Sequence, residues 1–76
     1  MKFQIVYPVR VDGIEFYAEV EKIDKGKYNV SLYYGDTLIK GPKEVKAGNL
    51  RQLIMMIKRD MERIFFTELK NYVGGE

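Results

Sequence analysis

Three short turn signals in the first forty residues constrain the fold of this chain more than any other feature. Asp12-Gly13, Asp24-Lys25-Gly26 and Gly35-Asp36 separate stretches in which apolar and polar residues alternate. Alternation with period two is typical of half-buried strands. Asp-Gly favours a two-residue hairpin turn, because both turn positions need a positive φ. The sequence therefore predicts an antiparallel meander of four strands.

The turn lengths also predict the register. A two-residue first loop pairs Val11 with Ile14, and Val9 with Phe16, so that apolar residues meet at each step. A three-residue second loop, with Gly26 in the left-handed conformation, does the same for the next two strands. We expect the fourth strand to end before proline 42, with a crossover from there to a helix.

From Leu50 onward the apolar period becomes that of a helix. Asn49 and Gln52 match a capping box, and Gly74-Gly75 stops a helix of some 24 residues. The apolar stripe expected to cover the sheet is Leu50, Leu53, Ile54, Ile57, Met61, Ile64 and Phe65. The predicted fold is α+β: a four-stranded antiparallel meander with one long C-terminal helix on one face (ββββα), in a single domain of residues 1–76.

Histidine and cysteine are both absent, which excludes most catalytic and metal-binding arrangements. No Ser–His or Cys–His pair, imidazole ligand or thiolate ligand can form. Glu19 and Glu21 share a strand face and could hold a divalent ion, but two carboxylates without a third ligand are more often a solvated surface. We expect no enzyme, no catalytic residue, no cofactor and no metal.

The sequence also predicts the cellular location of the protein. No apolar run approaches the roughly 20 residues that span a bilayer, and the N-terminus lacks a signal-peptide pattern. Secreted domains of this size usually carry disulfides, so a cytoplasmic protein without membrane contact is expected.

The predicted register leaves a second apolar surface on the sheet face turned away from the helix. Its members are Val6, Pro8, Tyr17, Tyr33 and Leu38. A contiguous apolar patch across four strands is typical of an interface. The alternative is that tyrosine and valine are there as good strand formers, since cross-strand aromatic pairs themselves stabilise a sheet.

The helix carries a further apolar line outside its core stripe, interrupted by Glu62. We expect it to form a homodimer contact, because the helix is longer than the sheet is wide. The alternative is that the sheet wraps around a curved helix. The dimer residues are Met55, Phe66, Leu69 and Val73.

Basic residues are concentrated in the second half of a chain whose net charge is +2. The candidates for nucleic-acid binding are Lys40, Lys43 and Lys46 in or near the crossover, and Lys58, Arg59 and Arg63 on the helix flank. Glu15, Glu19 and Glu21 share the tyrosine-bearing face and repel phosphate, which makes that face better suited to protein.

These observations predict a non-enzymatic protein-binding module that uses the outer sheet face, with nucleic-acid binding as the alternative. Small cysteine-free chains with one domain are common among phage and mobile-element accessory proteins, which often inhibit a host protein by occupying it. We therefore expect a role of that kind. The residues themselves identify neither a family nor the partner.

Overall fold

The computed structural model describes residues 1–69 and shows the predicted meander. The strands are β1 (Lys2–Val6), β2 (Phe16–Asp24), β3 (Lys27–Tyr34) and β4 (Thr37–Lys46), all antiparallel and side by side in chain order. A helix of 20 residues follows them, which confirms the ββββα architecture. No helix within residues 1–69 is long and apolar enough to span a membrane.

The helix consists of α1 (Leu50–Ile64) and a π-helical segment (Phe65–Leu69) that continues it. Asn49 is the N-cap, and its side-chain Oδ1 accepts a hydrogen bond of 2.8 Å from the backbone N–H of Gln52. The Gln52 side chain in turn accepts a bond of 2.6 Å from the N–H of Gly48. The predicted cap is therefore present, although Gln52 reaches one residue beyond the cap itself.

The first hairpin departs from its predicted register. Val11 does pair with Ile14, but the Tyr7 N–H bonds to the carbonyl of Phe16, so the expected pairing of Val9 with Phe16 is wrong. Between these two pairs, one strand has three residues, 8–10, and the other has only Glu15. Proline has no N–H to donate to the ladder, and regular pairing ends before it. The excess of two residues preserves the alternation, so the predicted faces of β1 remain correct.

The fourth strand is longer than predicted, because Gly41-Pro42 does not end it. β4 continues to Lys46 through two irregularities, one between Lys40 and Lys43, which contains Gly41-Pro42, and one just before it, between Leu38 and Lys40. A proline is tolerated here because β4 is an edge strand, and an edge position need not donate its N–H. The crossover is therefore confined to residues 47–49, and Ala47 donates to the Gly26 carbonyl at 3.0 Å.

The core lies between the helix and the inner face of the sheet. The buried residues are Val11, Phe16, Ala18, Val20, Tyr28, Val30, Leu32, Ala47, Leu53, Ile57, Met61, Ile64 and Leu69. Ile54 and Phe65 are half-buried, as the helical stripe predicted. Leu50, the first residue of α1, is exposed and does not belong to the core.

Candidate functional site

The outer face of the sheet carries an unbroken row of apolar side chains. Val6 pairs with Tyr17, Tyr17 with Tyr33, and Tyr33 with Leu38, so one residue from each strand contributes. We call these four residues the apolar row. Val6 and Leu38 at its ends are 47% and 45% exposed, and the two tyrosines between them are half-buried. Four of the five residues predicted for this surface therefore lie in one line.

Pro8 is the fifth predicted residue, and its expected position opposite Tyr17 is wrong. Val6 occupies that place, because the register of the first hairpin is displaced by two residues. Pro8 follows the end of β1 and lines a groove between β1 and the helix, together with Val6, Met55 and Arg59. The apolar surface thus turns around the edge of β1 rather than continuing along the sheet.

The two tyrosines at the centre of the row stack on each other. The Tyr17 and Tyr33 ring centroids are 5.4 Å apart and the ring planes differ by 15°. Aromatic pairs in offset-stacked geometry contribute about 0.5–1.5 kcal/mol beyond the area they bury. The stack holds the two half-buried phenol rings against each other at the centre of the row, and we call this pair the tyrosine platform.

Carboxylates surround this platform. Loss of water around the Tyr17 ring raises the pKa of its phenol above the usual 10.0. The negative charges of Glu19, Asp36 and Glu15 raise that pKa further, as does the Tyr33 phenol. Because a charge acts strongly on a pKa only at short range, these three carboxylates form an acidic rim around Tyr17. The sequence pointed to Glu15 and Glu19, whereas Asp36 in the third turn was missed.

The rest of the outer face is polar. Glu19 pairs with Gln4 and Ser31, and Glu21 pairs with Lys2 and Asn29. The Lys2 Nζ lies 3.8 Å from Glu19, an exposed ion pair of small energetic weight. Within residues 1–69, no group of three or more acidic side chains is arranged to hold a metal ion.

The exposed line on the helix is only partly the one predicted. Met55 and Phe66 are 58% and 56% exposed, but Leu69 is 1% exposed and packs in the core. The π-helical segment explains this burial: five residues separate Leu69 from the buried Ile64, which is one turn of a helix with i to i+5 bonding. On a regular α-helix the same spacing would turn Leu69 away from the sheet. Val73 lies outside the described residues.

Between Met55 and Phe66 the helix exposes two opposite charges. Arg59 and Glu62 complete a line of four residues at i, i+4, i+7 and i+11, which all fall on one side of the helix. We call Met55, Arg59, Glu62 and Phe66 the helix line. Neither Arg59 nor Glu62 forms an ion pair with another described residue. Partial burial raises the pKa of the Tyr7 phenol, and the nearby Glu62 charge raises it further, which places Glu62 toward the β1 side.

The six predicted nucleic-acid residues do not form one patch. Lys40 and Lys43 belong to β4 and line a cavity of about 140 Å³ between that strand and α1. Lys46 ends β4, opposite Lys27. Lys58 and Arg59 border the groove beside β1. Arg59 also lines a groove together with Asp60 and Arg63, so the Asp60 carboxylate interrupts the cations of the helix and β4. Lys46 stands apart from them.

Asp60, to which no sequence pattern pointed, engages two of these six residues. Its carboxylate lies 3.3 Å from the Lys40 Nζ and also pairs with the Arg63 guanidinium. The first contact joins β4 to the helix beside the cavity, which both residues line. Asp60 lies about three turns after the N-cap and carries no sequence signal of its own, since only the fold brings Lys40 to it.

Comparison of the chain with protein-family models, with curated proteins and with solved structures found no match. A function for this chain therefore has to be inferred from its own geometry.

Proposed function

We propose that the protein is a non-enzymatic protein-binding module that takes a basic segment of its partner on the apolar row. The observation that carries this proposal is the stacked Tyr17–Tyr33 platform with carboxylates around it. The proposed setting is the cytoplasm, where a domain without disulfides is usual, and the proposed role is that of an accessory or inhibitor protein.

The chemistry of the row indicates what kind of segment fits. Arginine stacks on the face of an aromatic ring and pairs with carboxylates through its planar guanidinium. A guanidinium over Tyr17 would meet both the ring and the acidic rim. Val6 and Leu38, at the two ends of the row, offer apolar contacts to the neighbouring side chains of such a segment.

The polarity of the rim argues against nucleic acid on this face. Glu15, Glu19 and Asp36 would repel a phosphate backbone, and base stacking on the tyrosines would bring that backbone close to them. The basic residues elsewhere are interrupted by Asp60, which engages Lys40 and Arg63. The observations therefore favour protein over the alternative of nucleic acid.

A random peptide library displayed against the immobilised protein tests the proposal. We expect the selected peptides to be enriched in arginine next to apolar residues. Their affinity should fall at least tenfold for the double variant Tyr17→Ala, Tyr33→Ala, about 1.4 kcal/mol of binding free energy. Because two alanines can also weaken the sheet, circular dichroism checks the fold.

Charge-neutral variants separate recognition from folding. Glu19→Gln combined with Asp36→Asn keeps the shape of the rim and should weaken the binding of arginine-bearing peptides several-fold, since exposed ion pairs contribute about 0.2–1 kcal/mol each. Glu21→Gln is the matched control on the same strand. Selected peptides that are acidic, or that bind all variants equally, would overturn the proposal.

We further propose that the chain forms a homodimer through the helix. Met55 and Phe66 support this, because both are large apolar side chains more than half exposed on one side of the helix. Leu69 is buried in the core of its own chain and is therefore not part of the proposed dimer contact. Light scattering that gives only the 8.9 kDa chain mass at all concentrations would contradict self-association.

A further inference from the structure

The order of side chains along the helix line has a symmetry that selects one way of pairing. The line reads Met55, Arg59, Glu62, Phe66, with spacings of four, three and four residues. These spacings are the same in both directions. The apolar residues are at the two ends, and the opposite charges are in the middle.

We propose that two copies of the chain pair through the helix line in antiparallel orientation, with Arg59 of each copy against Glu62 of the other. This inference rests on the proposed self-association and adds its geometry. A two-fold axis between Arg59 and Glu62 places Met55 of one copy against Phe66 of the other. The Arg59–Glu62 ion pair and the Met55–Phe66 contact then each occur twice.

Each contact in this arrangement is chemically favourable. A methionine sulfur makes a favourable contact with an aromatic ring. The Arg59 and Glu62 side chains, which have no ion-pair partner among the described residues, gain partners of opposite sign. A parallel pairing would instead place like charges together, which is unfavourable.

The neighbouring groove enlarges the contact. From Met55 to Phe66 the helix line is about 16 Å long at a rise of ~1.5 Å per residue, too short alone for a stable dimer interface of roughly 1,200 Å². Val6, Pro8 and Lys58 border the same side of the helix and extend the surface toward the edge of β1. A dimer of modest affinity is expected.

Charge reversal tests the orientation directly. Arg59→Glu places two acidic pairs in the antiparallel dimer, and Glu62→Arg places two basic pairs there. We expect each variant alone to dimerise at least tenfold more weakly than the wild type. Mixed in equal amounts, the two variants should form a heterodimer, because each of its contacts then joins opposite charges.

The measurement is sedimentation equilibrium over roughly 10–500 µM, the range in which interfaces of modest affinity dissociate. Lys25→Glu, with the same charge change in the exposed second turn, is the control and should dimerise like the wild type. Circular dichroism confirms that the variants fold, and the double variant Arg59→Glu, Glu62→Arg should regain the wild-type affinity.

The outcomes separate the two proposals. A wild-type chain that remains at 8.9 kDa overturns the self-association and the pairing together. A wild-type dimer that Arg59→Glu leaves intact, or variants that fail to associate on mixing, would overturn the antiparallel pairing alone.

Discussion

Tyr17 is the residue whose surroundings most define the proposed binding surface. The pKa of its phenol is raised by loss of water, and then by Glu19, Tyr33, Asp36 and Glu15. Glu19→Gln should lower the pKa of Tyr17, because it removes one of the charges that oppose ionisation. NMR titration of the Tyr17 ring measures this shift. Glu21→Gln is the control, and an equal shift in both variants would show that Glu19 does not border the ring.

The same raised pKa has a consequence for stability, whose sign follows from proton binding. Above about pH 10 the unfolded chain loses the phenol proton while the folded chain still holds it, so the free energy of unfolding falls as the pH rises. Below that pH the effect is absent. Urea unfolding at pH 9 and pH 11 should show a smaller loss for Tyr17→Phe. A loss as large as that of the wild type would contradict this prediction.

Gly41 is required by its backbone conformation and by the space around it. Its φ is +96°, and a Cβ there would lie 2.5 Å from the carbonyl oxygen of Val30. Gly41→Ala should therefore destabilise the fold by about 1–3 kcal/mol or more, measured by chemical denaturation. Gly13→Ala is the control, because its φ is +74° but nothing lies near its Cβ. The prediction fails if both changes cost the same.

At the scale of elements, the N-cap of the helix makes a measurable contribution to the free energy of unfolding. The Asn49 side chain is the hydrogen-bond acceptor for the N–H of Gln52. Asn49→Ala should cost about 1 kcal/mol of unfolding free energy, because that N–H loses its partner. Thermal unfolding compares it with Arg51→Ala, an exposed helical position without a capping role. Equal stabilities would mean that water replaces the cap without loss.

The strands and the helix also show which structural features could be predicted from the sequence. Turns and alternation predict all four strands and the faces of β1, β2 and β3, since both signals are local. The register of β4 is shifted by two irregularities, so that Leu32 pairs with Lys40 rather than with Ile39 as the third turn predicted. The apolar row survives an error in the first register, because the shift is an even number of residues. The passage of β4 through Gly41-Pro42 could not be predicted, since it depends on β4 lying at the sheet edge. The burial of Leu69 depends in the same way on a π-helical segment that has no recognised sequence signal.

At the scale of the whole molecule, the fold gathers carboxylates near Tyr17. Glu15, Glu19 and Asp36 raise the pKa of its phenol, although Lys2 also pairs with Glu19 at 3.8 Å. Sequence composition gives only the net charge of +2. The grouping arises because strand residues alternate between faces, which places Glu19 on the face of Tyr17, and because the third turn adds Asp36. It is what supports the proposal of a cationic partner segment.

The interruption of the cations by Asp60 leads to the last prediction, which concerns nucleic acid. Oligonucleotide binding needs several cations along one path, because each phosphate contact adds to the affinity through counterion release. Lys40 and Arg63 are engaged by Asp60, and Lys46 stands apart at the end of β4. We therefore expect single- and double-stranded oligonucleotides to bind more weakly than about 100 µM at physiological salt, the weak limit of non-specific binding. Fluorescence anisotropy at several salt concentrations measures this.

Asp60→Asn is the informative variant, because it releases both Lys40 and Arg63. Micromolar binding by the wild type that weakens steeply with salt and strengthens in Asp60→Asn would show that the cations act together as a nucleic-acid surface, against the assignment of this domain to protein binding.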